Sequence, residues 1–327
     1  MIEATILLAL GFVVTFASLP KIMEYMIKRD VAGRDVHKKD KPIIPEMGGL
    51  AVLLGLSVCS IAGIYLIPEK ASLFVSFLAT VLIAGAIGAV DDLVTLNAKV
   101  KPFLTTFACL PILILGTYTP SIVFPYIGAS RLTKVYPLLI PIVMAVTSNG
   151  VNMMDPFNGT MSGSCSNLTL FLLLSAIVLG RGDGVLLSAT LLGTLLAFFW
   201  YNKYPSRVFS GDVGSLSIGA AIGAIAILGR LEVVAVVAFM PQIMNAFYGL
   251  STIGRLYERR EVSRPVTILE DGRLMATTDH KAPLTLARFV LARGPLYEKE
   301  AAYVILVLSA LSGVLALFTA YLTVLTA

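Results

Sequence analysis

Ten stretches of roughly twenty predominantly apolar residues recur along the chain, at 3–21, 47–67, 72–90, 102–119, 136–154, 164–180, 184–202, 212–229, 233–254 and 300–325. Each is long enough to cross a bilayer core of about 30 Å as a helix. Proline interrupts the fourth stretch at Pro111 and the fifth at Pro137 and Pro141. Membrane helices tolerate proline where neighbouring elements re-satisfy the freed backbone groups. The pattern predicts an all-α polytopic membrane protein with ten transmembrane helices, forming one integral membrane domain over residues 1–327. The first stretch lacks a basic leading segment and runs on into a polar loop, so it reads as a first helix and not as a cleaved signal.

Composition narrows this further. The chain is 57% hydrophobic and 14% charged, with a mean hydropathy of +0.86. Soluble domains carry about 25% charged residues, so a soluble enzyme is excluded, and no nucleic-acid partner is expected. Cys59, Cys109 and Cys165 lie in or beside apolar stretches and suit packing, not a disulfide framework. His37 and His280 lie far apart in polar loops without a zinc-type spacing.

Charge then gives the topology a sense. An even helix count puts both termini on one side. The loops at 22–46, 91–101, 155–163, 203–211 and 255–299, with the bordering Lys21, hold twenty of the 25 lysines and arginines; the alternate loops hold the other five. Positive charge concentrates in cytoplasmic loops, which assigns the rich set to the cytosol and both termini to the outside.

Five polar constellations fall on the cytosolic side. In "VDDLVTLNAKVKP" (90–102), Asp91 and Asp92 close an apolar run. An Asp at the bilayer centre costs roughly 2.5–3.5 kcal/mol, and less at the boundary. The pair fits cation or proton binding, and Lys99 and Lys101 fit phosphate; the same residues also fit a solvated helix end. Adjacent helix residues do not face the same way, so the two acids are expected to differ in role. In "SNGVNMMDPFNGTMSGS" (148–164), Asn149 and Asn152 share a helix face that Asp155 continues. Such oxygen donors suit a hard cation, while asparagine in a membrane helix also ties helices together. In "NKYPSRVFSGDVGSLSIGAAIGAIAILG" (202–229), Asp212 opens a helix rich in small residues. It fits a metal ligand or a helix cap, and the small residues fit close packing. The long loop carries Arg259, Arg260 and Arg264, suited to phosphate or to anionic lipid. It also carries "VTILEDGRLMAT", whose Asp271-Gly272 predicts a hairpin. In the first loop, "GRDVHKKDKPIIPEMGG" offers Arg34, Lys38 and Lys39 to an anionic lipid headgroup and ends on Glu46 and a glycine pair.

The chain resembles the polyprenyl-phosphate N-acetylhexosamine-1-phosphate transferases along nearly its whole length. "YPSRVFSGDVGS", "FMPQIMNAFYGL" and "GPLYEKE" match the dolichyl-phosphate GlcNAc-1-phosphate transferase branch; "GAVDDLVTL", "SNGVNMMDPFNG" and "IPEMGG" match the wider family. The resemblance implies ten helices with external termini. It implies transfer of GlcNAc-1-phosphate from UDP-GlcNAc to dolichyl or another polyprenyl phosphate, with UMP released. By family match, Asn152 and Asp212 hold Mg²⁺, for which Mn²⁺ substitutes. Asp91 and Asp92 lie beside the reacting phosphates, and Lys101 contacts a phosphate. Asn158 faces uracil with Gly159 beside it, and Glu46 and the arginines at 255–265 lie near the sugar. The chain departs from the branch in carrying "ERREVSRP" where a histidine-containing basic cluster is usual, Pro156 where glycine is usual, and Met161. It lacks the longer loop insertion of eukaryotic members, which favours an archaeal cell membrane over the endoplasmic reticulum. A homodimer is compatible with the sequence.

The expected chemistry is direct attack of the lipid phosphate on the sugar-linked phosphorus, with Asp91 as proton acceptor and a covalent aspartyl-phosphate route ranked below it. A secondary transporter is the rival class. It would favour acids near the midplane and repeated halves, whereas these acids gather at one face.

Overall fold

The computed structural model describes residues 1–254, 256 and 261–326, and nearly all of its regular structure is helical. The long helices are α1 (Ile2–Lys28), α2 (Gly49–Leu66), α3 (Ala71–Val94), α6 (Tyr136–Asn152), α7 (Thr160–Val178), α8 (Gly182–Asn202), α9 (Gly211–Leu228) and α13 (Glu298–Thr326). Shorter ones are α4 (Val100–Thr106), α5 (Leu110–Leu115), α10 (Glu232–Ala238), α11 (Met240–Ile253) and α12 (Leu286–Val290). Each of the ten apolar stretches is helical, whole or in pieces.

Among the described residues, seven helices are long and apolar enough to span a membrane, or eight if the bent pair α10–α11 is one span. That pair was expected as a single helix over 233–254. It bends by 63° at Phe239, because Pro241 at the start of α11 cannot continue the preceding hydrogen-bond ladder. Pro111 acts similarly, splitting 102–119 into α4, a short 3-10 turn and α5. Pro141 lies inside α6 without breaking it, while Pro137 occupies the first turn, where a missing N–H costs nothing.

Large apolar side chains such as Leu138, Ile114 and Leu315 face outward, as lipid-exposed surfaces require. The reverse holds for α9, whose residues from Val213 to Leu228 are all buried. Its glycines, alanines and serines let α2, α3 and α6 approach closely. A Cβ on Gly88 of α3 would overlap the Asp212 carbonyl, and one on Gly49 of α2 would overlap Gly214. The small-residue stripe is therefore the packing axis of the bundle.

Among the described residues, three two-stranded antiparallel ribbons decorate the ends. The expected hairpin at Asp271-Gly272 is present as β5 (Val266–Ile268) and β6 (Leu274–Ala276), with Gly272 at φ +86°. Two more were not foreseen: β1 (Ala32–Arg34) with β2 (Ile43–Pro45), and β3 (Ser121–Phe124) with β4 (Gly128–Arg131). The loops poor in lysine and arginine share one end, where Tyr126 N–H donates to Thr326 Oγ1 at 2.8 Å and Lys70 pairs with Asp183. The candidate site residues gather at the other.

Candidate active site

Helix α3 does not stop before the acid pair, as the apolar run suggested, but carries it inside its last turns. Successive helical residues diverge by about 100°, and the two carboxylates meet different partners. Asp91 is buried and accepts a hydrogen bond from Leu96 N–H. Its Oδ2 lies 2.7 Å from Lys101 Nζ, in the first turn of α4. The same ammonium lies 2.7 Å from Asp212 Oδ2, in the first turn of α9. Two carboxylates far apart in the chain thus share one cation, while Lys99 stands exposed at the start of α4.

Asp92 does something else. Its Oδ1 accepts from Asp212 N–H at 2.6 Å and its Oδ2 from Val213 N–H at 2.9 Å. It therefore caps α9 from another helix, satisfying two donors that a helix start leaves open. The capping role considered for Asp212 belongs to Asp92. Gly211, at φ +65°, turns the chain beside this carboxylate, where a side chain would collide with Asp92.

The rest of the mouth is assembled from loops. Phe209 N–H donates to Pro45 O, Gly48 N–H to Phe209 O and Gly49 N–H to Ser210 O, each at 2.9 Å. This stitching lays the segment of Glu46 along the entry to α9. Glu46 itself is held by its N–H on Val31 O at 3.1 Å. Asn152 ends α6, which runs antiparallel to α9: Gly223 faces Met144 and Thr147, and Gly219 faces Thr147 and Ser148. This register directs the end of α6, with Asn152, toward the start of α9. Asn149 is occupied elsewhere, donating to Thr105 Oγ1 at 2.9 Å and so tying α6 to α4. Asp155 accepts from Ser210 Oγ at 3.3 Å.

Asn158 and Gly159 lie in the turn before α7, where Gly159 at φ +79° packs against Lys203. Asn158 Nδ2 donates to Asp35 Oδ2 at 2.9 Å, and Asn158 N–H donates to Glu298 Oε1 at 2.9 Å. The β5–β6 hairpin rests on this turn through Val266 and Leu274 against Met154 and Phe157. Arg264 stands exposed just before β5; Arg259 and Arg260 lie outside the described residues.

Sequence reasoning missed Asp35 and Glu298. Lys38, expected to meet a lipid headgroup, instead bonds Asp35 and lies 3.7 Å from Glu298 Oε2. Burial pushes the Asp35 carboxyl up, but hydrogen bonds from Lys38 and Asn158 outweigh it and hold the group below the usual carboxylate range. Asp35, His37 and Glu298 offer ligand atoms within 4.8 Å of one another. With the Lys38 ammonium already on the carboxylates, the group is an ion-pair knot.

The donor set at the other cluster fits a divalent cation. Carboxylate and amide oxygens are the ligands hard cations prefer, and Asp212 keeps part of its side chain exposed.

Comparison with known proteins bears on this arrangement. The model of glycosyl transferase family 4 matches residues 74–230, which include Asp91, Asp92, Lys101, Asn152, Asn158 and Asp212. A provisionally named glycosyltransferase of Methanocaldococcus jannaschii is 29% identical over 311 residues, covering 92% of this chain and 93% of the relative. A protein of Sulfolobus acidocaldarius, provisionally named UDP-N-acetylglucosamine–dolichyl-phosphate N-acetylglucosaminephosphotransferase, is 29% identical over 72% of this chain and 74% of its own. The phospho-N-acetylmuramoyl-pentapeptide-transferase of Moorella thermoacetica is 31% identical over 77% of this chain and 82% of its own.

Proposed function

Since the chain belongs to glycosyl transferase family 4, we propose that it transfers N-acetylglucosamine-1-phosphate from UDP-GlcNAc to dolichyl or another polyprenyl phosphate, as the first step of lipid-linked oligosaccharide assembly for N-glycosylation. The observation that carries the reading is the meeting of Asp91 and Asp212 on the Lys101 ammonium at 2.7 Å each. A site that joins two phosphate-bearing substrates needs cationic charge between them, held in place by acids. Phosphoryl transfer depends mostly on positioning and electrostatics.

In this reading an oxygen of the lipid phosphate bonds to the sugar-linked phosphorus, the pyrophosphate P–O bond breaks, and UMP leaves. Asp91 takes the proton of the lipid phosphate, and Lys101 neutralises charge on the pyrophosphate. Asp92 has both oxygens committed to backbone N–H groups, so its role is to hold the start of α9. Asp212 and Asn152 would hold Mg²⁺, which supplies charge stabilisation to the pyrophosphate when bound. Asn158 faces the uracil, while Glu46 and Arg264 lie toward the sugar. We further propose ten spans in one membrane domain, both termini outside and the site in the cytosol.

The test is direct. Purified full-length protein receives UDP-GlcNAc, Mg²⁺ and dolichyl phosphate, and UMP and lipid-linked sugar are measured. Equal amounts of both support the assignment; UMP without a lipid product, or no UMP at all, defeats it. The relative from Moorella thermoacetica favours a second donor, a UDP-N-acetylmuramoyl-pentapeptide. A panel of UDP-sugars separates the two by kcat/KM.

A further inference from the structure

The reaction proposed above leaves a buried charged cluster on the site side without a part: Asp35, Lys38 and Glu298. These residues converge on Asn158. The side-chain Nδ2–H of Asn158 donates to Asp35 Oδ2 at 2.9 Å, and its backbone N–H donates to Glu298 Oε1 at 2.9 Å. Lys38 bonds Asp35 and lies 3.7 Å from Glu298 Oε2, which has no hydrogen-bond partner among the described residues. The first cytosolic loop, the turn before α7 and the start of α13 are therefore fastened at a single asparagine.

An ionised carboxylate only accepts hydrogen bonds, whereas an asparagine amide has a donating end and an accepting end. Asp35 remains ionised at neutral pH, since Lys38 and Asn158 hold its carboxyl low. Turning the Asn158 amide over would set Oδ1 against the Asp35 carboxylate, two buried acceptors with no proton between them. The amide therefore has one orientation, with Oδ1 directed away from Asp35.

We propose that Asp35 is a specificity-determining residue for the nucleotide base, acting by fixing the orientation of the Asn158 amide. This rests on the reading of Asn158 as the residue that faces the base. An Oδ1 acceptor complements the N3–H of uracil; at the same ring position cytosine carries an unprotonated nitrogen, and two acceptors meet. Glu298 and Lys38 are positioning residues, holding the backbone of Asn158 and the carboxylate of Asp35.

The experiment measures equilibrium binding of UMP and CMP to full-length protein in detergent, so no transfer is required. Wild type is expected to prefer UMP by about ten- to a hundredfold, the discrimination of one well-placed hydrogen-bond pair. Asp35→Asn, whose own amide can face Asn158 either way round, is expected to reduce that preference about tenfold, measured at a temperature where both proteins remain folded. An unchanged preference in Asp35→Asn, together with its loss in Asn158→Ala, overturns the proposal and leaves the base contact standing. UMP affinity unchanged in Asn158→Ala overturns the base contact itself. A measurement on wild type alone keeps the test independent of folding. Binding of 3-methyl-UMP should be about tenfold weaker than that of UMP, because the N3–H is gone. Equal affinity overturns the assigned amide orientation.

Discussion

Two clusters in this molecule share one design and differ in access. Each sets two carboxylates from distant chain segments on a lysine ammonium: Asp91 and Asp212 on Lys101, and Asp35 and Glu298 on Lys38. The lysines are equally accessible, Lys101 15% and Lys38 17% exposed, and the difference lies in one acid: Asp212 keeps 26% of its side chain exposed, against 5% for Asp91, 2% for Asp35 and 4% for Glu298. An open pair can exchange lysine contacts for a substrate phosphate or a cation at modest cost. A closed pair loses far more if its partner leaves, because a buried charge without a counter-ion is expensive. This difference supports the proposal that the Asp91–Asp212–Lys101 cluster carries the chemistry and the Asp35–Glu298–Lys38 cluster the positioning.

The largest effect that would break this comparison lies in the open cluster. Asp212→Asn should lower UMP release by about 10²–10³-fold, the scale of removing one charge-stabilising group, with the melting temperature almost unchanged. Asn152→Ala should act in the same direction. Full Mg²⁺-dependent activity in either variant would remove it from the metal role.

Gly88→Ala comes next, since its Cβ would enter the Asp212 carbonyl. Overpacking of this kind costs about 1–3 kcal/mol. Both melting temperature and kcat should fall, with the KM for the sugar nucleotide changing less. A normal kcat would mean that α3 and α9 need not touch at this point.

The closed cluster should reveal itself through pH. The folded-state pKa of Asp35 is lowered, so its stabilising contribution is present above the unfolded value of about 3.9 and is lost as pH falls through the folded value. The melting-temperature gap between wild type and Asp35→Asn should be full at neutral pH and shrink in acid. A gap independent of pH would assign the loss to shape and not to charge. The smallest effect belongs to Arg264→Ala. This exposed residue should raise the KM for the sugar nucleotide a few-fold at unchanged kcat, by about the worth of a screened surface charge. An unchanged KM would take Arg264 out of the sugar site.

How much was legible in advance follows from the same contrast. Asp91, Asp92, Lys101, Asn152 and Asp212 stand out because a charge or amide at the end of an apolar helix is conspicuous. Asp35 and Glu298 do not, since polar residues are ordinary in loops and at helix starts, and Lys38 stands out only as a partner for a lipid headgroup. Their significance arises from contacts across 123 and 140 residues of chain. Breaks in helices were legible where proline fell in an apolar run, as at Pro111. The bend at Phe239 has the same cause in Pro241, but the apolar run 233–254 reads as one helix until the 63° turn is seen. The hairpin at Asp271-Gly272 was visible from its turn residues, whereas β1–β2 lacks so local a signature.

By itself the sequence determined that the chain is a bundle of apolar helices with its acids and bases at one end. Hydrophobicity and charge act residue by residue, and they need no knowledge of neighbours in space. Only the tertiary structure decided that Asp91 meets Lys101 and Asp212 while Asp92 caps α9, and that Asn158 is clamped by Asp35 and Glu298. The physical reason is that two adjacent aspartates are chemically equal in the sequence. They become different only when the turn of α3 and its close approach at Gly88 aim one at a cation and the other at a helix end.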